Sequence, residues 1–261
     1  MGGHGQGHSR DTSLRTILMV LGVGAVFYLI GFAFRPAPVE AQNERPSAGP
    51  GYTEPLPSVG PDDAPVIMVE VADYKCRFCR IRNGLMKRIM TEHREDVQFV
   101  FKHFPFVASD SRRGAVGSMA ANRQNAFWEY SDLLYRAQSD PWTDGNLTAL
   151  AGKLGLDTDK FAADLADPKL AAYVAKDEAA AQHLAIRATP TLLINGRIVP
   201  NDANADTVRM MVRDAVAEVQ GILKRGEATT VQQARAIAAA RHHPMGSEFS
   251  RVYLNNDVSN L

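Results

Sequence analysis

Cys76 and Cys79 are the only cysteines in a chain of 261 residues, and they stand three positions apart. One such pair cannot staple so long a chain, so the fold has to rest on an apolar core. With 45% hydrophobic and 22% charged residues, the chain has the means to build one and is not disordered throughout. Its length suits one domain of ordinary size with extensions, or two small ones. The pair's surroundings constrain the fold further. Val66–Val71 is an apolar, β-branched run that predicts a buried strand. Cys76 to about His93 predicts a helix, with Ile81, Leu85, Met86 and Ile89 on one face and a candidate kink at Asn83-Gly84.

This placement sets the chemistry of the pair. At the start of a helix, free backbone N–H groups and the helix dipole stabilise a thiolate. Cys76 is therefore the candidate nucleophile, with a pKa in the range of roughly 3.5–7.5 found in such motifs. Arg77 beside it adds a cation that favours the thiolate. Cys79, one helical turn on, can close a small ring and expel a partner held as a mixed disulfide. A structural disulfide and half a zinc site are the competing readings. Zinc needs further ligands, yet there is no second Cys pair. His93, His103, His183, His242 and His243 lack paired ligand spacing, so no metal site is expected.

Downstream, Val97–Phe101 predicts a second strand, and about Arg112 to Ala185 reads as a largely helical block. Arg112-Arg113 reads as a solvated helix start. Thr191–Ile194, Asn195-Gly196 and Arg197–Val199 form a hairpin signature, since Asn-Gly suits a type I′ turn. Just before it, Ala188-Thr189-Pro190-Thr191 places a proline where a strand does not welcome one. A cis peptide at Thr189-Pro190 would present the Thr189 main chain to a substrate strand, whereas a trans proline would simply open an edge strand. Asp206–Leu223 predicts a closing amphipathic helix. The order of strand, helix, strand, helical block, hairpin and helix is α/β with a helical insertion.

The ends of the chain differ from its middle. Residues 1–15 are a short leading segment. Residues 16–34 carry no charge and are flanked by Arg15 and Arg35, a length that spans roughly 28 Å as a helix. An uncleaved transmembrane anchor is the first reading; a signal cleaved near Val39-Glu40-Ala41 is the second. Either way the rest of the chain is exported. Residues 35–62 are proline-rich and read as a semi-extended tether. Residues 224–261 have no clear period beyond an Ala-rich stretch at Thr230–Arg241 that could form a short helix, and read mainly as a frayed tail. Lys+Arg and Asp+Glu both number 29, so no overall charge favours nucleic acid, which is not an expected partner.

Val69–Cys79, the Phe127-Trp128-Glu129 run, and Thr189-Pro190-Thr191 followed by Asn195-Gly196 resemble the DsbA-type thiol-disulfide oxidoreductases. The resemblance covers roughly Asp63 to Leu223. It implies an α/β thioredoxin-like fold at 63–223 with an inserted helical domain at about 112–185, preceded here by the transmembrane helix. It also implies disulfide formation or exchange in exported proteins. Cys76 would be the attacking sulfur and Cys79 its buried partner, with Pro190 a cis-proline after Thr189. Glu70, six positions ahead of Cys76, would be the buried acid that moves protons; an exposed strand carboxylate is its bland alternative. Thr189, Pro190, Arg77 and Phe78 would meet the substrate, and Phe78, Phe104, Phe106, Trp128 and Trp142 could line an apolar groove.

The implied redox group is the Cys76–Cys79 disulfide itself, with no other cofactor. The implied partners are exported proteins bearing thiols or disulfides, and a membrane redox partner. The implied location is a single-pass protein of the bacterial cell membrane with its catalytic domain in the periplasm or cell exterior. Arg77-Phe78 departs from the family's usual Pro followed by His or Tyr, so oxidant, reductant and isomerase roles stay open. The alternatives are a reductant for cytochrome or metal-site assembly, and a thioredoxin-like metal-binding chaperone.

Overall fold

The computed structural model describes Tyr52 and residues Glu54–Leu254. Within it the apolar runs form the middle of a five-stranded sheet. Ser58–Val59 (β1) is followed by Val66–Ala72 (β2), the helix Arg77–Glu92 (α1) and Val97–His103 (β3). β2 and β3 are parallel, and every residue of both is buried, as a strand covered on both faces requires. The hairpin Thr191–Ile194 (β4) and Arg197–Ile198 (β5) pairs antiparallel with β2, giving the order β1-β3-β2-β4-β5. Asn195 and Gly196 both take positive φ (42° and 81°), as a primed turn demands. Asn195 also locks the turn to β2: its Oδ1 accepts from the Ile67 N–H at 2.8 Å and its Nδ2 donates to the Pro65 carbonyl at 3.1 Å.

Between β3 and β4 lies the expected helical block, resolved into five helices: Ser111–Asn122 (α2), Phe127–Arg136 (α3), Asp144–Lys153 (α4), Thr158–Ala166 (α5) and Pro168–His183 (α6). Thr143, Asp157 and Asp167 cap the last three, each accepting a backbone N–H of the first turn. Ala205–Lys224 (α7) packs with α1 on the other face of the sheet. The apolar core therefore has two parts. One joins the sheet to the helical block through Tyr74, Phe101, Phe127, Tyr130 and Tyr173. The other holds Val66, Met68, Met86, Ile89, Val208 and Val212 beneath α1 and α7.

A knot of buried polar groups also ties the block to the sheet. Asp177 of α6 pairs with Lys102 of β3 at 3.3 Å and accepts from the Tyr52 hydroxyl at 2.6 Å and the His103 N–H at 3.0 Å. The His103 ring lies 3.0 Å from both Asp177 and the Ser118 hydroxyl. Tyr253 adds a ring 5.8 Å from the Lys102 ammonium.

Several expectations need correction. The end of the stretch read as a tether belongs to the domain. Tyr52 and Glu54 are buried and β1 pairs with β3, because Asp177, Arg123 and the sheet edge respectively offer them partners. The stretch read as a frayed tail is packed through Tyr253: Val231–His242 (α8) and Gly246–Phe249 (α9) lead to a π-helical turn, and Phe249, Val252 and Tyr253 are buried in the larger core. α8 lies so close to the hairpin that a Cβ on Gly196 would stand 3.0 Å from the Ala239 Cα. α1 runs unbroken through Asn83-Gly84, and Ile81 does not join Met86 and Ile89 inside. It is 65% exposed, because Cys79, Arg82, Met86 and Ile89 are the residues turned inward. Arg113 is not a free surface charge, since it reaches Asp144 and the Leu165 carbonyl. The proposed membrane segment at 16–34 lies outside the described residues. Among those described, no helix is long and apolar enough to cross a membrane.

Candidate active site

Cys76 is the N-cap of α1, where β2 hands over to the helix. The loop between them is held by Asp73, which accepts N–H bonds from Lys75, Phe106 and Val107, each at 2.8 Å. Gln138, in the turn after α3, supports the same loop, donating to the Tyr74 carbonyl at 2.6 Å and the Cys76 carbonyl at 2.9 Å. Both side chains bind main-chain atoms, partners that leave no pattern in a sequence. The Thr189–Pro190 peptide is cis, and the Cys76 thiol donates to the Thr189 carbonyl at 3.3 Å. The fold thus brings together two motifs 113 positions apart.

The two thiols are free, and their environments drive them apart. The Cys79 S–H and the N–H groups of Cys79 and Phe78 favour a thiolate at Cys76 against the opposing effect of burial, bringing its pKa down to about 5. Burial pushes Cys79 far up; the bond it donates to Cys76 and the charge of Glu70 add to the effect. At neutral pH one sulfur is a thiolate and the other a thiol, the arrangement an attacking and a resolving sulfur require.

Glu70 lies under this pair, and the bland alternative of an exposed carboxylate does not hold: it is 3% exposed. Its Oε1 has no hydrogen-bond partner among the described residues. Burial raises its pKa to about 7, although the charge of Arg82 pulls the other way. That value suits a group that gives and takes protons near neutrality. Arg82 is a further residue that was not anticipated. It stands one turn after Cys79 on the same inward face, a spacing that could have flagged it. Its Nη2 donates to the Asn201 carbonyl at 2.9 Å, while Nη1 is buried and unpartnered.

Arg77 holds its guanidinium 5.1 Å from the Phe78 ring centre. Phe78, 57% exposed, presents apolar surface two residues after Cys76, and Phe106 is exposed as well. Phe104 lines a hollow together with Phe106, its ring centre 5.1 Å away, whereas Phe78 lines a different groove and Trp128 and Trp142 line neither. Phe104 and Trp142 are buried, and Trp128 packs on Phe99 and Phe127. Among the described residues, no three His, Cys, Asp or Glu side chains gather to hold a metal ion.

This architecture has relatives. The family model described as Thioredoxin matches residues 53–214. Disulfide bond formation protein D of Bacillus subtilis is 31% identical over 163 residues, covering 59% of this chain and 73% of that protein. The Na(+)/H(+) antiporter NhaA 3 of Salinispora tropica is 33% identical over 163 residues, covering 62% of this chain but only 25% of the antiporter. The chain thus spans about a quarter of the length of such relatives. Among solved structures, oxidised BdbD from Bacillus subtilis superposes with a TM-score of 0.58 and 29% identity, covering 67% of this chain and 100% of that one.

Proposed function

We propose, for a chain that belongs to the thioredoxin family as a DsbA-type thiol-disulfide oxidoreductase, a dithiol mechanism at Cys76 and Cys79 that forms disulfide bonds in exported proteins. The observation that carries it is the Cys76 sulfur at a helix start, 3.3 Å from the carbonyl that precedes the cis-proline. The oxidised protein holds a Cys76–Cys79 bond. A client thiolate attacks Cys76; the client–Cys76 bond forms and the Cys76–Cys79 bond breaks. Cys79 leaves as a thiolate and takes a proton from Glu70, whose pKa of about 7 lets it hold one at neutral pH. A second client thiolate then attacks the client sulfur, forming the client disulfide and releasing Cys76 as a thiolate. Two electrons pass from client to protein, one of the two thiol protons ends on Cys79 by way of Glu70, and the other goes to solvent. Pro190 and the Thr189 main chain align the client strand.

The direction follows from the thiolate. A Cys76 pKa of about 5 stabilises the reduced pair at neutral pH, which makes the oxidised pair a willing electron acceptor. The name of the Bacillus relative agrees with that direction. A membrane redox partner would reoxidise the pair. The charge-free segment at 16–34 would anchor the protein, with this domain on the outer side. The decisive test is Cys76→Ser in an oxidative refolding assay on a reduced client. Refolding should fall to the uncatalysed rate, and undiminished catalysis would overturn the mechanism. Alkylation trapping in cells should find the pair mostly oxidised; a mostly reduced pair would reverse the direction.

A further inference from the structure

The helix bearing the cysteines is cationic out of proportion to the chain. α1 carries Arg77, Arg80, Arg82, Lys87 and Arg88 against the single carboxylate of Glu92, although basic and acidic residues balance at 29 each overall. Its two flanks use that charge differently. On one, Lys87 pairs with Asp132, which also accepts from Asn83 at 2.9 Å. On the other, Phe78, Ile81, Arg82, Leu85 and Arg88 follow one another at helical spacing along a groove of about 660 Å³. Thr189 and Pro190 line the same groove, so it opens directly beside the Cys76 sulfur.

The groove is apolar at its start and cationic farther along. Phe78 and Ile81 are more than half exposed there, a state that costs free energy unless something covers them. Beyond them, Arg82 has its unpartnered, buried Nη1, and exposed Arg88 makes no ion pair among the described residues. Glu92, one turn past Arg88, is already held by Arg209 through two bonds of 2.6 and 2.7 Å. Asp202 is the carboxylate among the lining residues, and Asn201, Asn204 and the neighbouring backbone complete that wall without further cations.

We propose that this groove selects client segments that are extended, apolar next to the reacting cysteine and acidic a short way along. The proposal rests on the dithiol mechanism above and adds the class of client. The spacing follows from helix geometry. Arg82 and Arg88 lie six and twelve residues beyond Cys76, about 9 and 18 Å along the axis at 1.5 Å per residue. At roughly 3.3 Å per residue, an extended client brings its third to fifth residue to those guanidinium groups. An Asp or Glu at the fifth residue meets the exposed Arg88 guanidinium, with the buried charge of Arg82 in the wall adding to the field, an attraction that speeds encounter and sets register.

The test uses the full chain in its oxidised form and two dithiol peptides that differ only in Glu or Lys four positions from the reacting cysteine. The second-order rate of disulfide transfer should favour the Glu peptide about tenfold at low ionic strength, and the ratio should shrink at 0.5 M NaCl as the charges are screened. Arg88→Gln should cut the ratio to about twofold, and Asp202→Asn should widen it. Arg80→Gln, on the opposite flank, should leave it unchanged. Equal rates for the two peptides in the unaltered protein would overturn the selectivity and leave the mechanism standing. Equal effects of Arg80→Gln and Arg88→Gln would also overturn it, since a diffuse field would then be acting. If Arg88→Gln weakens binding to phosphatidylglycerol vesicles while the peptide ratio holds, the cations serve a lipid surface and the proposal falls. Transfer to neither peptide would bring down the dithiol mechanism itself.

Discussion

Glu70 and Asp177 are both carboxylates enclosed within one domain, and they are held in opposite protonation regimes. Burial alone would raise both. At Asp177 the charge of Lys102 and the hydrogen bonds of His103 and Tyr52 overcome that effect and hold the group below its ordinary range. At Glu70 the charge of Arg82 falls short, one oxygen is left bare, and the pKa rises to about 7. A buried charge that is fully partnered is a fixed structural pin. One that is partnered in part stays mobile in its proton, which is what a site exchanging protons with a sulfur needs.

The contrast is sharpest under mutation. Asp177→Ala strands the Lys102 ammonium in the core, and chemical denaturation should record a loss of about 3–5 kcal/mol. A loss below 1 kcal/mol would mean the knot is not a pin. Next in size comes the pH dependence of Glu70, read in the reduced protein as the difference from Glu70→Gln. Its folded pKa is raised from 4.5 to about 7, so its contribution is fully present below pH 4.5 and is lost as the pH rises to 7. The loss amounts to about 3 kcal/mol. Glu70→Gln should flatten the stability profile across that window and slow release of Cys79; an unchanged profile would show that Glu70 titrates normally. Tyr52→Phe removes the bond donated to Asp177 and the one accepted from Lys102, and should cost about 2 kcal/mol by thermal or chemical unfolding. A further pH-dependent effect comes from the sulfur itself. The folded Cys76 pKa is lowered from 9.0 to about 5, so the reduced protein gains stability relative to the oxidised one as pH rises through that interval. Thiolate absorbance should show a midpoint near pH 5; a midpoint above 8 would mean the helix start leaves the thiol unperturbed.

Much of this molecule was legible beforehand. Val66–Val71, Val97–Phe101 and the Asn195-Gly196 hairpin stood out because apolar runs and turn residues are local signals. The cysteine pair was tied to Thr189-Pro190 by family resemblance rather than by any local pattern. What escaped was contact at long range. Lys102 ends an apolar strand and reads as a solvated terminus, yet its partner lies 75 positions on in another element. Arg82 reads as one more surface cation on a basic helix, and only the rotation of α1 that turns Ile81 outward buries it. Tyr52 stands among prolines that suggest a tether, and Tyr253 in a stretch without period; both fold in because the core has room for a ring beside Lys102.

The sheet's two margins close the account. β1 occupies one side with two residues, and β5, with α8 against its turn, occupies the other. Short strands like these offer a passing polypeptide little main chain to zip onto. For the extended clients proposed above, that geometry leaves the sulfur end as the place of engagement. Catalyst and cargo can then part once the bond has been handed over, instead of accumulating as a shared ladder.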